Sequence, residues 1–191
     1  MSAETALGRR SIRIAGADYT EAGGYFVTIC AANRGEIFGK IKDGRIRLSR
    51  LGELVRTCWV QIPEHFANVE IKEFVVMPNH LHGIIGLNAR SVDGLRLTAR
   101  GTVAGNARPK NAERFQKPVE GSIPTIVRAF KAAVTRRAKQ ELKIAEPRIW
   151  QSNYFERVLR DGREYAIASR YVMENVMRWE WDEENARRMK S

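Results

Sequence analysis

Residues 69–87 read VEIKEFVVMPNHLHGIIGL, from Val69 to Leu87, and their pattern decides the fold. The first run, Val69 to Met77, alternates and then turns continuously apolar, as a strand does on entering a buried centre. Pro78-Asn79 is a turn signal. His80 to Leu87 therefore predicts the returning strand of an antiparallel hairpin. Side chains alternate faces along a strand, so His80 and His82 share one face and could offer two imidazoles to a single ion. The third histidine, His65, lies outside this motif.

On the N-terminal side, Tyr25 to Cys30 (YFVTIC) is a run of β-favouring residues between Gly23-Gly24 and Asn33-Arg34-Gly35, and predicts a central strand. Ile37–Ile41 and Arg45–Leu48 flank Asp43-Gly44, a tight-turn signal, and predict a small hairpin. Ser49 offers an N-cap. Leu51, Leu54, Val55, Cys58, Trp59 and Ile62 then recur at helical spacing until Pro63, predicting an amphipathic helix over about 50–62. Residues 1–22 are polar and predict a flexible arm whose Arg9, Arg10 and Arg13 are able to touch phosphate.

On the C-terminal side periodicity disappears over about 88–121, where Gly, Pro, Asn, Arg and Lys dominate, predicting a mobile basic loop. A helix follows from Ser122 to about 143, with Ile126, Val127, Phe130, Ala133, Val134, Ala138 and Leu142 inward. Ile149–Leu159 predicts a strand or an extended segment. Glu164 to about Trp179 predicts a second long helix with Ile167, Ala168, Tyr171, Val172, Asn175 and Val176 near one side, and 182–191 a charged tail. The expected class is α+β: one domain over 23–181, an antiparallel sheet of about four to five strands with helices packed on it, ferredoxin/RRM-like.

The chain carries 33 Lys+Arg against 22 Asp+Glu, a formal charge of +11, which suits a polyanionic partner such as nucleic acid. On the predicted 122–143 helix, Arg128, Lys131, Arg136 and Arg137 are candidates for holding phosphates. Two cysteines, Cys30 and Cys58, in regular apolar segments point to buried reduced thiols and not to a disulfide framework. No long apolar run or signal-like start appears, so no membrane partner and a cytoplasmic location are expected.

Tyr171 and Asn175 are four residues apart and so share a helix face one turn apart. An amide oxygen can complete a hard-cation site beside two imidazoles, and a phenol near a cation is a usable nucleophile. Tyr154, in an aromatic cluster, and Tyr165, without a ligand-type residue at i+4, are the rival phenols. A non-catalytic RNA- or DNA-binding module on a similar sheet would need neither the histidine pair nor Tyr171-x-x-x-Asn175, and a zinc hydrolase would want a further ligand and a general-base Glu.

Residues 74–85 (FVVMPNHLHGII) closely resemble the histidine-hydrophobe-histidine segment of single-tyrosine HUH transposases, in particular the REP-associated tyrosine transposases. The resemblance extends to Tyr25–Cys30, to 121–137 (GSIPTIVRAFKAAVTRR), to 150–156 (WQSNYFE), and to 170–175 (RYVMEN) with Trp179. It implies an HUH nuclease fold, His80, His82 and Asn175 as ligands of Mg²⁺ or Mn²⁺, and Tyr171 as nucleophile. It further implies cleavage and strand transfer of single-stranded or hairpin DNA through a 5′-phosphotyrosine. Related insertion-sequence transposases work as dimers that exchange the tyrosine helix, whereas the REP-associated branch points to a monomer. Two positions depart from the family pattern: Val176 stands where proline is common after the asparagine, and Arg157 where a histidine is expected.

Overall fold

A computed structural model describes residues 22–88, 119–144 and 148–181. The expected arm at 1–22, the loop at 88–121 and the tail at 182–191 fall almost wholly outside the described residues. The elements are β1 (Gly23–Cys30), β2 (Gly39–Lys42), β3 (Arg45–Leu48), α1 (Arg50–Val60), α2 (Ile62–His65), β4 (Val69–Val76), β5 (His80–Leu87), α3 (Ile123–Glu141), β6 (Phe155–Leu159) and α4 (Gly162–Glu174). The class is α+β, as expected, with a four-stranded antiparallel sheet in the order β4-β5-β1-β6 and a separate β2-β3 hairpin.

Most predicted boundaries agree with these elements, and the exceptions have local causes. The helix expected over 50–62 ends at Val60, and Pro63 sits at the start of the one-turn α2, where its missing N–H costs nothing. The segment over 149–159, expected as a strand or an extended segment, makes a bridge from Trp150 to Ala31 and becomes β6 at Phe155.

Strand alternation divides the sheet into two unlike faces. Tyr25, Val27 and Ile29 of β1 and Leu81 and Ile85 of β5 point into a large core filled by α1 and α3, with Val55, Trp59, Ile126, Phe130 and Val134 among its members. The other face carries a small cluster, Ile84, Leu159 and Val172, with Phe26, Val75, Tyr165 and Ala168 against it, and α4 lies there. In β4 the pairing passes from Ile71 opposite Ile85 to Phe74 opposite Gly83, so one extra residue is accommodated between them. This bulge keeps Ile71 and Phe74 on the large-core side despite their odd separation and turns Glu73 toward α4.

Two glycines let the layers approach. A Cβ on Gly52 of α1 would lie 1.9 Å from the Phe38 carbonyl oxygen, so the helix backbone rests directly on the chain entering β2. A Cβ on Gly83, directly after His82, would lie 2.5 Å from Cζ2 of the fully buried Trp59. Gly83→Ala is expected to lower stability by roughly 1–3 kcal/mol through this overpacking. The check is a lower urea midpoint at unchanged slope; an unshifted midpoint would mean that Trp59 does not sit flat on the strand.

Candidate active site

β1 and β5 pair so that Thr28 lies opposite His82 and Cys30 opposite His80, all on the α4 side of the sheet. His80 and His82 are buried, with ring centroids 4.3 Å apart. Each ring is held through Nδ1. His82 Nδ1 is 2.8 Å from the Thr28 hydroxyl, and His80 Nδ1 is 2.8 Å from Asn79 Oδ1. Asn79 Nδ2 donates to the Arg34 carbonyl at 3.2 Å, which fixes the amide orientation. An amide oxygen only accepts, so His80 Nδ1 carries the hydrogen, and the lone pair of the neutral ring is on Nε2.

α4 starts on a sound cap, with the Asp161 side chain accepting from the Glu164 N–H. Its inward row is Tyr165, Ala168, Ser169, Val172 and Asn175, whereas Ile167, expected inward, is 60% exposed. Tyr165 replaces it because its hydroxyl donates to Glu73 at 2.7 Å, which sets the helix rotation on the sheet. Further along the helix, the Tyr171 hydroxyl lies 3.3 Å from His82 Nε2. Phe26 fills the space beside both rings, 5.4 Å from His82 and 5.9 Å from Tyr171. Tyr171 is 38% exposed, so the phenol is open to solvent and to a polymer lying over it.

Asn175 follows at the end of the helix, still in the α region and 1% exposed. Trp179, one further turn on, places its ring 6.0 Å from His80. Asn175 thus lies between a contact made at His82 and one made at His80. The chain turns after Asn175 through Met177 and Arg178 N–H bonds to Glu174, so the helix ends here without the proline that Val176 replaces. Phenol and imidazoles meet within one chain, and the buried Asn175 lies on the same helix between Tyr171 and Trp179, which touch His82 and His80.

The rival phenols are engaged elsewhere. Tyr154 packs against the large core on the opposite face and donates to Glu156 at 2.6 Å. Tyr165 is pushed up to about 12, first by its hydrogen bond to Glu73 and then by burial. A proton held that firmly makes a poor nucleophile at neutral pH. Arg157 pairs with Glu164 at 3.2 Å and braces the start of α4. His65 is the last residue of α2.

The phosphate-holding set expected on α3 lies apart from Tyr171. Alternation puts α3 against the Tyr25-Val27-Ile29 face, so its cations lie on the far side of the sheet from Tyr171. Lys131 does not reach outward: its ammonium donates to the carbonyls of Gln151 at 2.9 Å and Asn153 at 3.0 Å, with Ser152 at 3.4 Å. Arg137 is bound to Glu141, Gln61 and the Cys58 sulfur. Arg128 and Arg136 are exposed but belong to that far side. Neither cysteine is in a disulfide, and Cys58 is buried whereas Cys30 is only half-buried.

The donor set suits a divalent cation. Two imidazoles with their Nδ1 atoms already hydrogen-bonded are the usual presentation of metal-binding histidines, and an amide oxygen is a third hard donor. His80 Nε2 and Asn175 Oδ1 are both shut off from solvent. Among the described residues no three His, Cys, Asp or Glu side chains converge, which sets the arrangement apart from all-protein zinc sites. Thr28 and Asn79, which orient the two rings, escaped the sequence reading. Thr28 could be found only from the β1–β5 register, and Asn79 looked like turn punctuation.

The fold is that of a tyrosine transposase: a solved REP-associated tyrosine transposase bound to a REP hairpin superposes with a TM-score of 0.55 at 17% identity, over 93% of this chain and 76% of that one. The chain belongs to one family with an uncharacterized protein of Haemophilus influenzae, 39% identical over 177 residues and 92% of each chain. It matches no family model. Among the described residues no helix is long and apolar enough to cross a membrane.

Proposed function

We propose that the protein is a transposase-like HUH tyrosine nuclease that cleaves and rejoins single-stranded DNA, with hairpin-forming repeats as its substrate class. The observation that carries this reading is the Tyr171 hydroxyl at 3.3 Å from His82 Nε2, on the sheet face that also bears His80 and the buried Asn175. The transposase fold supports it, as does the hairpin bound by the structural neighbour.

In the proposed reaction the Tyr171 oxygen attacks a backbone phosphorus. A tyrosine–phosphate bond forms at the 5′ side, the bond from phosphorus to the 3′ oxygen breaks, and that oxygen leaves as a 3′-hydroxyl after taking up a proton. The phenol's own proton goes to solvent, to which Tyr171 is open. One phosphodiester replaces another, so the reverse attack by a 3′-hydroxyl rejoins strands without ATP. His80, His82 and Asn175 would hold Mg²⁺ or Mn²⁺, which polarises a phosphate oxygen and stabilises the charge of the transition state. Thr28 and Asn79 keep the imidazoles turned so that Nε2 faces the reacting phosphate. Phe26 and Trp179 wall the pair and keep the rings from swinging.

The test is to incubate the protein with single-stranded hairpin DNA, with and without Mn²⁺, and to run denaturing gels. A covalent protein–DNA band that needs the metal and maps to Tyr171 is expected. Tight DNA binding with no adduct under any metal condition would reject the reading.

A further inference from the structure

The sheet face opposite the phenol holds the α3 cations, so the strand reacting at Tyr171 needs its phosphates held by other groups. A cleft of about 490 Å³ lies at the end of β1 between residues 32–34 and 148–153. That volume is within the range of about 300–1,000 Å³ usual for small-ligand sites. Arg34 and Arg148 line it together with Asn33, Gln151, Ser152 and Asn153, and no carboxylate does so among the described residues. Two guanidiniums among side-chain amides and a hydroxyl make a surface that matches phosphate oxygens.

Both walls are fixed before any ligand arrives. On one side Asn33 and Arg34 both have positive φ, 55° and 53°, a conformation that costs non-glycine residues energy and is retained only where neighbours enforce it. Asn79 enforces it by donating to the Arg34 carbonyl, and the same Asn79 orients His80, so this wall is one side chain away from the proposed metal ligand. On the other side Ile149 and Trp150 are buried anchors, Gln151 N–H bonds to the Cys30 carbonyl, and Lys131 gathers the carbonyls of 151–153 from beneath. Burial, countered only by Cys30, pulls the Lys131 pKa down to about 8. The ammonium, held by these carbonyls and lying over the Tyr154 ring, adds positive charge beneath the cleft.

We propose that this cleft is a phosphate subsite for single-stranded DNA, in which Arg34 and Arg148 hold a backbone phosphodiester beside the scissile one and lead the strand over His80 to Tyr171. The subsite rests on the proposed nuclease function. It assigns strand binding to the β1 end of the sheet and not to α3.

The experiment is a salt series of fluorescence-anisotropy titrations with a labelled single-stranded oligonucleotide. Wild type, R34Q/R148Q, R148E and the α3 control R128Q/R136Q are compared, with melting curves to verify folding. R34Q/R148Q is expected to weaken binding about tenfold or more at 0.15 M salt and to reduce the slope of log K against log [salt] by about 1–2, while the α3 control keeps its slope. Replacing single phosphates by methylphosphonates should reveal one or two linkages whose neutralisation weakens wild type but not R34Q/R148Q. An unchanged slope in folded R34Q/R148Q, or an equal loss in the α3 control, overturns the subsite. If R34Q/R148Q does not fold, R148E, which alters an exposed side chain, decides in the same way. Absence of any salt-sensitive binding by wild type would instead overturn the DNA reading itself.

Discussion

A Tyr171→Phe variant is expected to bind single-stranded DNA as wild type does and to form no covalent adduct, with cleavage reduced by about 10⁴-fold or more. Only one oxygen is removed, the one that approaches His82 Nε2 at 3.3 Å. The ring itself still packs beside Phe26. Stability should therefore stay within about 0.5 kcal/mol of wild type, as for other surface changes that disturb no core. A global unfolding artefact is thereby separable from loss of chemistry. Neither other phenol near this region can substitute, because Tyr154 is on the opposite face and Tyr165 is locked to Glu73 with its pKa near 12. Retained cleavage at the wild-type rate would assign the nucleophile elsewhere and leave the site without its central group.

The second large effect is expected at the histidines. His80→Ala with His82→Ala should reduce metal-dependent cleavage by more than about 10²-fold, since even outer-shell partners of a metal site are worth about 10–100-fold. Salt-sensitive DNA binding should persist, because phosphate contacts supply it. Both rings are buried, so the double variant also loses packing. Thr28→Val supplies the gentler test: it keeps the shape, deletes the hydroxyl 2.8 Å from His82 Nδ1, and should cost about 10–100-fold in metal affinity measured by calorimetry. Wild-type cleavage that continues after thorough chelation would remove the metal from the mechanism.

Much of this site was legible in the residues. The period of two in His80-Leu81-His82 gave a shared face, and the i, i+4 spacing gave Tyr171 and Asn175 a common side of a helix. The resemblance of 74–85 and 170–175 to the transposases joined these two local facts. What could not be read was which face of the sheet each helix covers. Amphipathicity says that α3 and α4 each have an inner side, but both are compatible with either face, so the spacing of the α3 cations could not reveal that the sheet divides them from Tyr171. Lys131 shows the same limit at one residue. Its spacing suggested a solvated cation, yet Trp150 draws 149–153 inward and the ammonium becomes the hydrogen-bond donor for that segment. The bulge in β4 leaves no mark that periodicity reveals, because Lys72-Glu73 looks like ordinary strand polarity. It nonetheless turns Glu73 to where it fixes the rotation of α4.

The unequal faces of the sheet also separate durability from chemistry. Among the described residues most buried apolar side chains lie under α1 and α3, and the buried members of the cluster at α4 are Ile84, Leu159 and Val172. Drift at Tyr171, Met173 or Met177, all exposed, would leave that main core intact. A descendant that has lost the Tyr171 phenol would thus remain a sound scaffold, so the lineage can outlive the proposed reaction and be recruited to a new use.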